Sequence, residues 1–172
     1  KANSYDYGKD GGAVEFWAGK GTLDGGSVHH NYATNSDGFA EIGSSGGTVK
    51  NMTIAYNVVV NNAWLLQVSL GGTYGTNISN IKLENNTVVN MVPHDGWGST
   101  SIIQTNGTPS GNQIVLRNNV IRTRGWKMLN GGSFTHTNNV YYMEGATVGY
   151  ALGSGEVHAD PKFVNMGAGN YE

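Results

Sequence analysis

The chain has 172 residues, enough for one domain with a buried core and short for two. Its 27 glycines exceed ordinary usage, yet together with the 3 prolines they stay below the roughly 25–30% that marks low-complexity chain, so the glycines belong to turns. Ten Lys and Arg against 12 Asp and Glu leave a formal charge of −2, without the basic stripe that nucleic acid or an anionic membrane requires. The absence of cysteine excludes disulfide scaffolds, zinc–thiolate sites, iron–sulfur clusters and thiol catalysis. No apolar run approaches the roughly 18–20 residues of a membrane span.

In chain order, residues 1–12 read as a lead-in or cap, polar and free of a leader-like apolar run. Strand patterns follow at 13–17, 39–43, 65–69, 102–106 and 126–130, with a weaker one at 150–153. Between them lies a corner pattern: an apolar residue, two variable residues, an asparagine, then apolar residues. It recurs at 28–33, 54–59, 83–88, 116–121 and 136–141, so that Asn31, Asn57, Asn86, Asn119 and Asn139 form a column with steps of 26, 29, 33 and 20. Asparagine tolerates the left-handed region at such a bend, and stacked amides can hydrogen-bond from one winding to the next. Glu15, Glu41 and Gln67 repeat at the same step of 26, and Gln104 follows 37 residues later. Two columns sharing one period predict an all-β solenoid of about six or seven windings, about 30 Å long at a strand spacing of ~4.8 Å.

The Asn-Asn-Thr-Val-Val run from Asn85 and the Asn-Asn-Val-Ile run from Asn118 resemble the corners of the right-handed parallel β-helix, the pectate-lyase-like superfold. The closing segment 157–172, with Asp160-Pro161-Lys162-Phe163-Val164-Asn165 and Gly169-Asn170-Tyr171, resembles the end of bacterial β-helix proteins. The resemblance covers nearly the whole chain and implies one single-stranded right-handed parallel β-helix over residues 1–172. Because this fold hosts lyases, hydrolases, adhesins and binders, activity has to be read from the surface. Among such proteins the chain is most similar to short β-helical xylan-binding modules, which implies a secreted or cell-surface bacterial protein, mature or excised, joined to a catalytic domain.

Strand alternation assigns Val14, Phe16, Ala40, Ile42, Leu66, Val68, Ile103 and Leu129 to the core. The opposite phase carries Glu15, Trp17, Phe39, Glu41, Gln67, Gln104 and Trp126, together with apolar Leu65, Ile102 and Met128. Flat rings beside carboxylates and amides are what a sugar-binding strip needs: rings cover the apolar faces of pyranoses, and polar groups bond the hydroxyls. The loop from Asn90 to Gly98 adds His94, Asp95 and a glycine-flanked Trp97, and Gly71-Gly72-Thr73-Tyr74-Gly75 presents Tyr74 in the same way. Trp64, directly before a strand, reads as packing.

The expected function is therefore non-catalytic binding of a plant cell-wall polysaccharide, xylan first, with no catalytic residue and no cofactor. The alternative is a hydrolase or lyase fragment using Glu15 and Glu41, whose spacing on adjacent windings approaches the ~5–5.5 Å of a retaining pair. Both glutamates share one environment, whereas an acid and a nucleophile need different ones. A structural or adhesin segment is the third reading. Arg122 and Arg124 form the one basic cluster available to a lyase. His29 and His30, as strand neighbours, should point to opposite faces and be unable to chelate together. Asp6, Asp10, Asp24 and Asp37 lie in glycine-rich turns, where turn formation is the first expectation and calcium the second.

Overall fold

The computed structural model describes residues 12–89, 101–124, 127–129 and 131–171. The first circuit of the chain runs through β1 (Gly12–Trp17), β2 (Thr22–His29) and β3 (Tyr32–Thr34), and the second through β4 (Gly38–Gly43), β5 (Thr48–Ala55) and β6 (Val58–Val60). The third comprises β7 (Leu66–Val68), β8 (Asn77–Ser79), β9 (Ile81–Glu84) and β10 (Thr87–Val89). β11 (Ser101–Thr105), β12 (Ile114–Arg117) and β13 (Val120–Arg124) make the fourth; β14 (Lys127–Leu129), β15 (Thr135–Thr137) and β16 (Val140–Glu144) make the fifth. β17 (Val157–His158) follows, and the described residues contain no α-helix.

These strands assemble into three parallel sheets that the chain visits in rotation. The first is ordered β1-β4-β7-β11-β14, the second β2-β5-β9-β12-β15 and the third β3-β6-β10-β13-β16-β17. The result is a solenoid-like all-β architecture. One side-chain cluster fills the space between the sheets, with Ala40, Ile42, Leu66, Val68 and Ile103 from the first, Val49, Ile54, Ile81, Leu83, Ile114 and Leu116 from the second, and Val59, Val88, Ile121 and Tyr141 from the third. Each of the larger aliphatic residues contributes about 1.5–3 kcal/mol by leaving water. Val14, Phe16 and Leu129 occupy the same phase but remain half-buried; among the described residues they lie on the first and last rungs of their sheet, with a paired strand on one side only.

The corner between the second and third sheets holds the asparagine column. Asn31, Asn57, Asn86 and Asn119 each donate through Nδ2 to Oδ1 of the next asparagine at 3.0 Å. The same Oδ1 also accepts the backbone N–H of the asparagine before it, at 2.8–3.0 Å. The second amide proton goes to the main chain of an earlier winding: Asn57 to Val28, Asn86 to Ile54, Asn119 to Leu83 and Asn139 to Leu116. From Asn57 to Asn119 every donor and acceptor of the side chain is thereby used, as a buried amide requires.

The left-handed bend sits one residue earlier than expected. His30, Tyr56, Asn85, Asn118 and Asn138 carry φ values of 55–57°, and none of the ladder asparagines does. In each Asn-Asn pair the first residue turns the chain and the second turns inward to bond. A single side chain cannot do both, because the bend carries its residue to the surface. A second left-handed column, Gly25, Asn51 and Asn80, interrupts the second sheet. There Asn80 donates to Asn51 and Asn51 to Asp24 on the outside.

No strand forms at residues 150–153, so the first sheet stops at β14. The closing segment instead leaves β17, makes a short 3-10 turn at Met166–Ala168 and brings Tyr171 to Tyr32 on the first winding. Burial first, and then the neighbouring Tyr32 hydroxyl, raise the Tyr171 pKa.

The two roles separate by mutation. Asn118→Gly, at an exposed left-handed position, should shift stability by no more than about 0.5 kcal/mol. Asn119→Ala strands the Asn86 amide and the Leu83 carbonyl and should cost about 2–4 kcal/mol. Urea unfolding of both variants gives the comparison.

Candidate functional site

The register of the first sheet sets Glu15 opposite Glu41, Glu41 opposite Gln67 and Gln67 opposite Gln104. Exposure falls along the row: Glu15 is open, Glu41 and Gln104 are half-buried, and Gln67 is buried. Gln67 Nε2 donates to Glu41 Oε1 at 2.9 Å, fixing both head groups along the stack. The row is thus polar throughout, with its carboxylates at the end nearest β1.

Trp17 lies two residues beyond Glu15 on the same face, in register with Gly43. Its ring approaches that glycine so closely that an added Cβ would come within 2.8 Å of it, so Gly43 is what lets the indole take this position. Tyr74, on the 3-10 turn Gly72–Tyr74, meets Trp17 edge to face with centroids 5.8 Å apart. The loop bearing Tyr74 is tied to the sheet by Ser44, whose N–H donates to the Tyr74 carbonyl and whose Oγ donates to the Gly75 carbonyl at 2.8 Å. Both rings remain open, 45% exposed for Trp17 and 58% for Tyr74. An aromatic corner therefore borders the carboxylate–amide row, on a backbone held at both ends.

Phe39 does not belong to this surface. It is 1% exposed and joins the same core cluster as Ala40, as do Leu65, Ile102 and Met128 in the corresponding positions of later rungs. Strand alternation assigned that row outward. That row is apolar at every rung and is buried from Phe39 through Met128. Trp64 packs against Gly38 inside. His94, Asp95, Trp97 and Trp126 lie outside the described residues, as do Asp6 and Asp10.

His29 and His30 overturn another expectation. The left-handed backbone of His30 ends strand alternation at His29 and turns the two rings toward each other, with Nδ1 atoms 2.9 Å apart. His30 in turn stacks on Tyr56 at 5.1 Å. Arg122 and Arg124 both pair with Glu144, so the two cations share one carboxylate, and the Arg122 guanidinium lies over the Tyr142 ring. Asp24 is held by Asn51 and Lys50, whose hydrogen bonds lower its pKa. Among the described residues, no three His, Asp or Glu side chains gather as a metal site would require. Among those residues, too, no helix is long and apolar enough to cross a membrane.

The strongest polar cluster was missed at the sequence level. Glu156 occupies the sixth position of the asparagine ladder: Gly155, at φ 69°, fills the left-handed slot, and Val157 pairs with Val140. Gly155-Glu156-Val157 is thus the Asn138-Asn139-Val140 corner with other residues, which is the signal available in the sequence. The Glu156 side chain is wholly buried. Its Oε1 accepts from Asn139 Nδ2 at 2.6 Å and from the Tyr141 hydroxyl at 2.7 Å; its Oε2 accepts from the Gly153 N–H at 2.8 Å and from His136 Nδ1 at 2.6 Å. Burial pushes its pKa up, but the donations from Asn139, Gly153, Tyr141 and His136 together outweigh burial and leave it lowered. Burial also raises the Tyr141 and Tyr150 pKa values, so both phenols remain neutral and Tyr141 keeps the proton it donates to Glu156.

Compared with known proteins, the chain matches no family model, no curated protein and no solved structure.

Because the folded pKa of Glu156 lies below its unfolded value near 4.3, its stabilisation is present above that pH and is lost as pH falls through the folded pKa. Glu156→Gln keeps an oxygen for Asn139 but turns an amide toward Gly153 and His136. It should cost about 2 kcal/mol at neutral pH and flatten the acid limb of stability, measured by urea unfolding between pH 3 and 7.

Proposed function

We propose that this chain is a non-catalytic carbohydrate-binding module, a right-handed parallel β-helix that holds a plant cell-wall polysaccharide, xylan, on the outer face of its first sheet. The right hand follows from the general preference of parallel strand crossovers. The observation that carries the functional reading is the exposed Trp17–Tyr74 corner beside the row Glu15, Glu41, Gln67 and Gln104. The rings supply the stacking surface, and the row supplies acceptors and amide donors at the ~4.8 Å rung spacing, close to the length of one pyranose unit. The open strip suits modest affinity, with a Kd of about micromolar to millimolar. In this reading the module is secreted or displayed at the cell surface beside a linked catalytic domain and needs no calcium.

A hydrolase or lyase using Glu15 and Glu41 is the second reading, favoured by their register on adjacent strands. Against it, the two carboxylates share one face, and Glu41 Oε1 already accepts a hydrogen bond from Gln67. For a lyase, the guanidinium groups of Arg122 and Arg124 are already paired with Glu144.

Affinity electrophoresis in xylan, pectin and mixed-linkage glucan gels separates these readings. The chain should be retarded most in xylan and release no reducing ends or unsaturated products. Trp17→Ala and Tyr74→Ala should each weaken binding about tenfold while the fold melts cooperatively. No retardation in any gel overturns the proposal. Turnover lost in Glu15→Gln or Glu41→Gln establishes the enzyme instead.

A further inference from the structure

The first sheet ends one rung before the third. After β16 the chain passes once more through residues 146–150, but no strand pairs with β14 there. In place of that sixth rung a cleft of about 500 Å³ opens against β14. This volume lies within the range of small-molecule sites and exceeds a single sugar ring.

The cleft has an aromatic lining. Phe134, His136 and Tyr150 pack on one another, with centroids 5.2 Å apart for Phe134–His136, 5.2 Å for Phe134–Tyr150 and 4.5 Å for His136–Tyr150. Lys127 lines it from β14, and Ser133 and Thr147 belong to its walls. Among the described residues no carboxylate lines it. The acid in contact with this lining is Glu156, which is wholly buried and already accepts four hydrogen bonds. That carboxylate also fixes the imidazole: with His136 Nδ1–H donating to Glu156, Nε2 is the ring nitrogen left for a ligand.

We propose that this cleft is a binding site for one anionic pyranose, a uronate. The ring face packs on the aromatic lining and the carboxylate is held by Lys127. The hydroxyls bond His136 Nε2, Ser133 and Thr147. A neutral sugar forgoes the lysine contact, and a small carboxylate without a ring forgoes the stacking surface. The site is separate from the Trp17–Tyr74 face and stands whether or not that face binds polysaccharide.

The test is titration of the intact chain with methyl glucuronoside, methyl galacturonoside, methyl glucoside and acetate, followed by calorimetry and by amide chemical shifts. At least one uronoside should bind with a Kd of about 1 mM, at least tenfold tighter than the glucoside and acetate, with shifts centred on residues 127–136 and 146–150. Lys127→Gln, at an exposed position, should erase the preference for the acid, and Tyr150→Ala should weaken binding about tenfold. Trp17→Ala should change nothing, which distinguishes this site from the polysaccharide face. No saturation below about 20 mM with either uronoside overturns the proposal. So does equal affinity for glucoside and uronoside, unchanged binding in Lys127→Gln, or shifts centred on Trp17.

Discussion

The structure depends on a side-chain amide whose every hydrogen-bonding group is used. In Asn57, Asn86 and Asn119, Oδ1 accepts twice from the winding before, while Nδ2 donates once to the next asparagine and once to main chain of an earlier winding. Aspartate has no proton to give, and glutamine would place its head group one methylene too far in. The ladder also has a direction. Each rung donates to the next toward the C-terminal end, so the last rung must accept, and Glu156 fills that place as a buried carboxylate. Its remaining lone pairs are taken by Tyr141, Gly153 and His136, which couples the end of the ladder to the lining of the cleft.

Fixing the corners leaves the excursions between them free to vary. Ladder neighbours are separated by 26, 29, 33, 20 and 17 residues, yet the strands on either side keep their pairing. Surplus residues are extruded as loops, and the loop ahead of β8 is the one that brings Tyr74 over Trp17. Constraint and variation therefore fall on different walls. The sealed corner sets the register; the first sheet turns that register into a polar row with an aromatic corner. The closing segment returns to Tyr32, at the opposite end of the third sheet from β17.

Much of this was legible because a solenoid writes its register as spacing. The step shared by Glu15, Glu41 and Gln67 appears as strand pairing, and Gln104 joins across a longer excursion. What was not legible has physical causes. Phe39 obeys strand alternation in sequence, but its row is apolar at each rung and is covered. Within Asn85-Asn86 the sequence does not tell the turning residue from the bonding one, since asparagine suits both jobs. His29 and His30 meet because one left-handed residue breaks the alternation that would separate them. Glu156 escaped notice because the ladder ends by changing residue type.

Exchange of side-chain amide protons tests the ladder most directly. Followed by NMR, the Nδ2 protons of Asn57, Asn86, Asn119 and Asn139 should be protected to nearly the free energy of global unfolding. Those of the exposed Asn118 and Asn138 should exchange at rates near those of free asparagine. Equal rates in the two sets would mean that the inward amides do not hold the windings together, and the account built on them would fail.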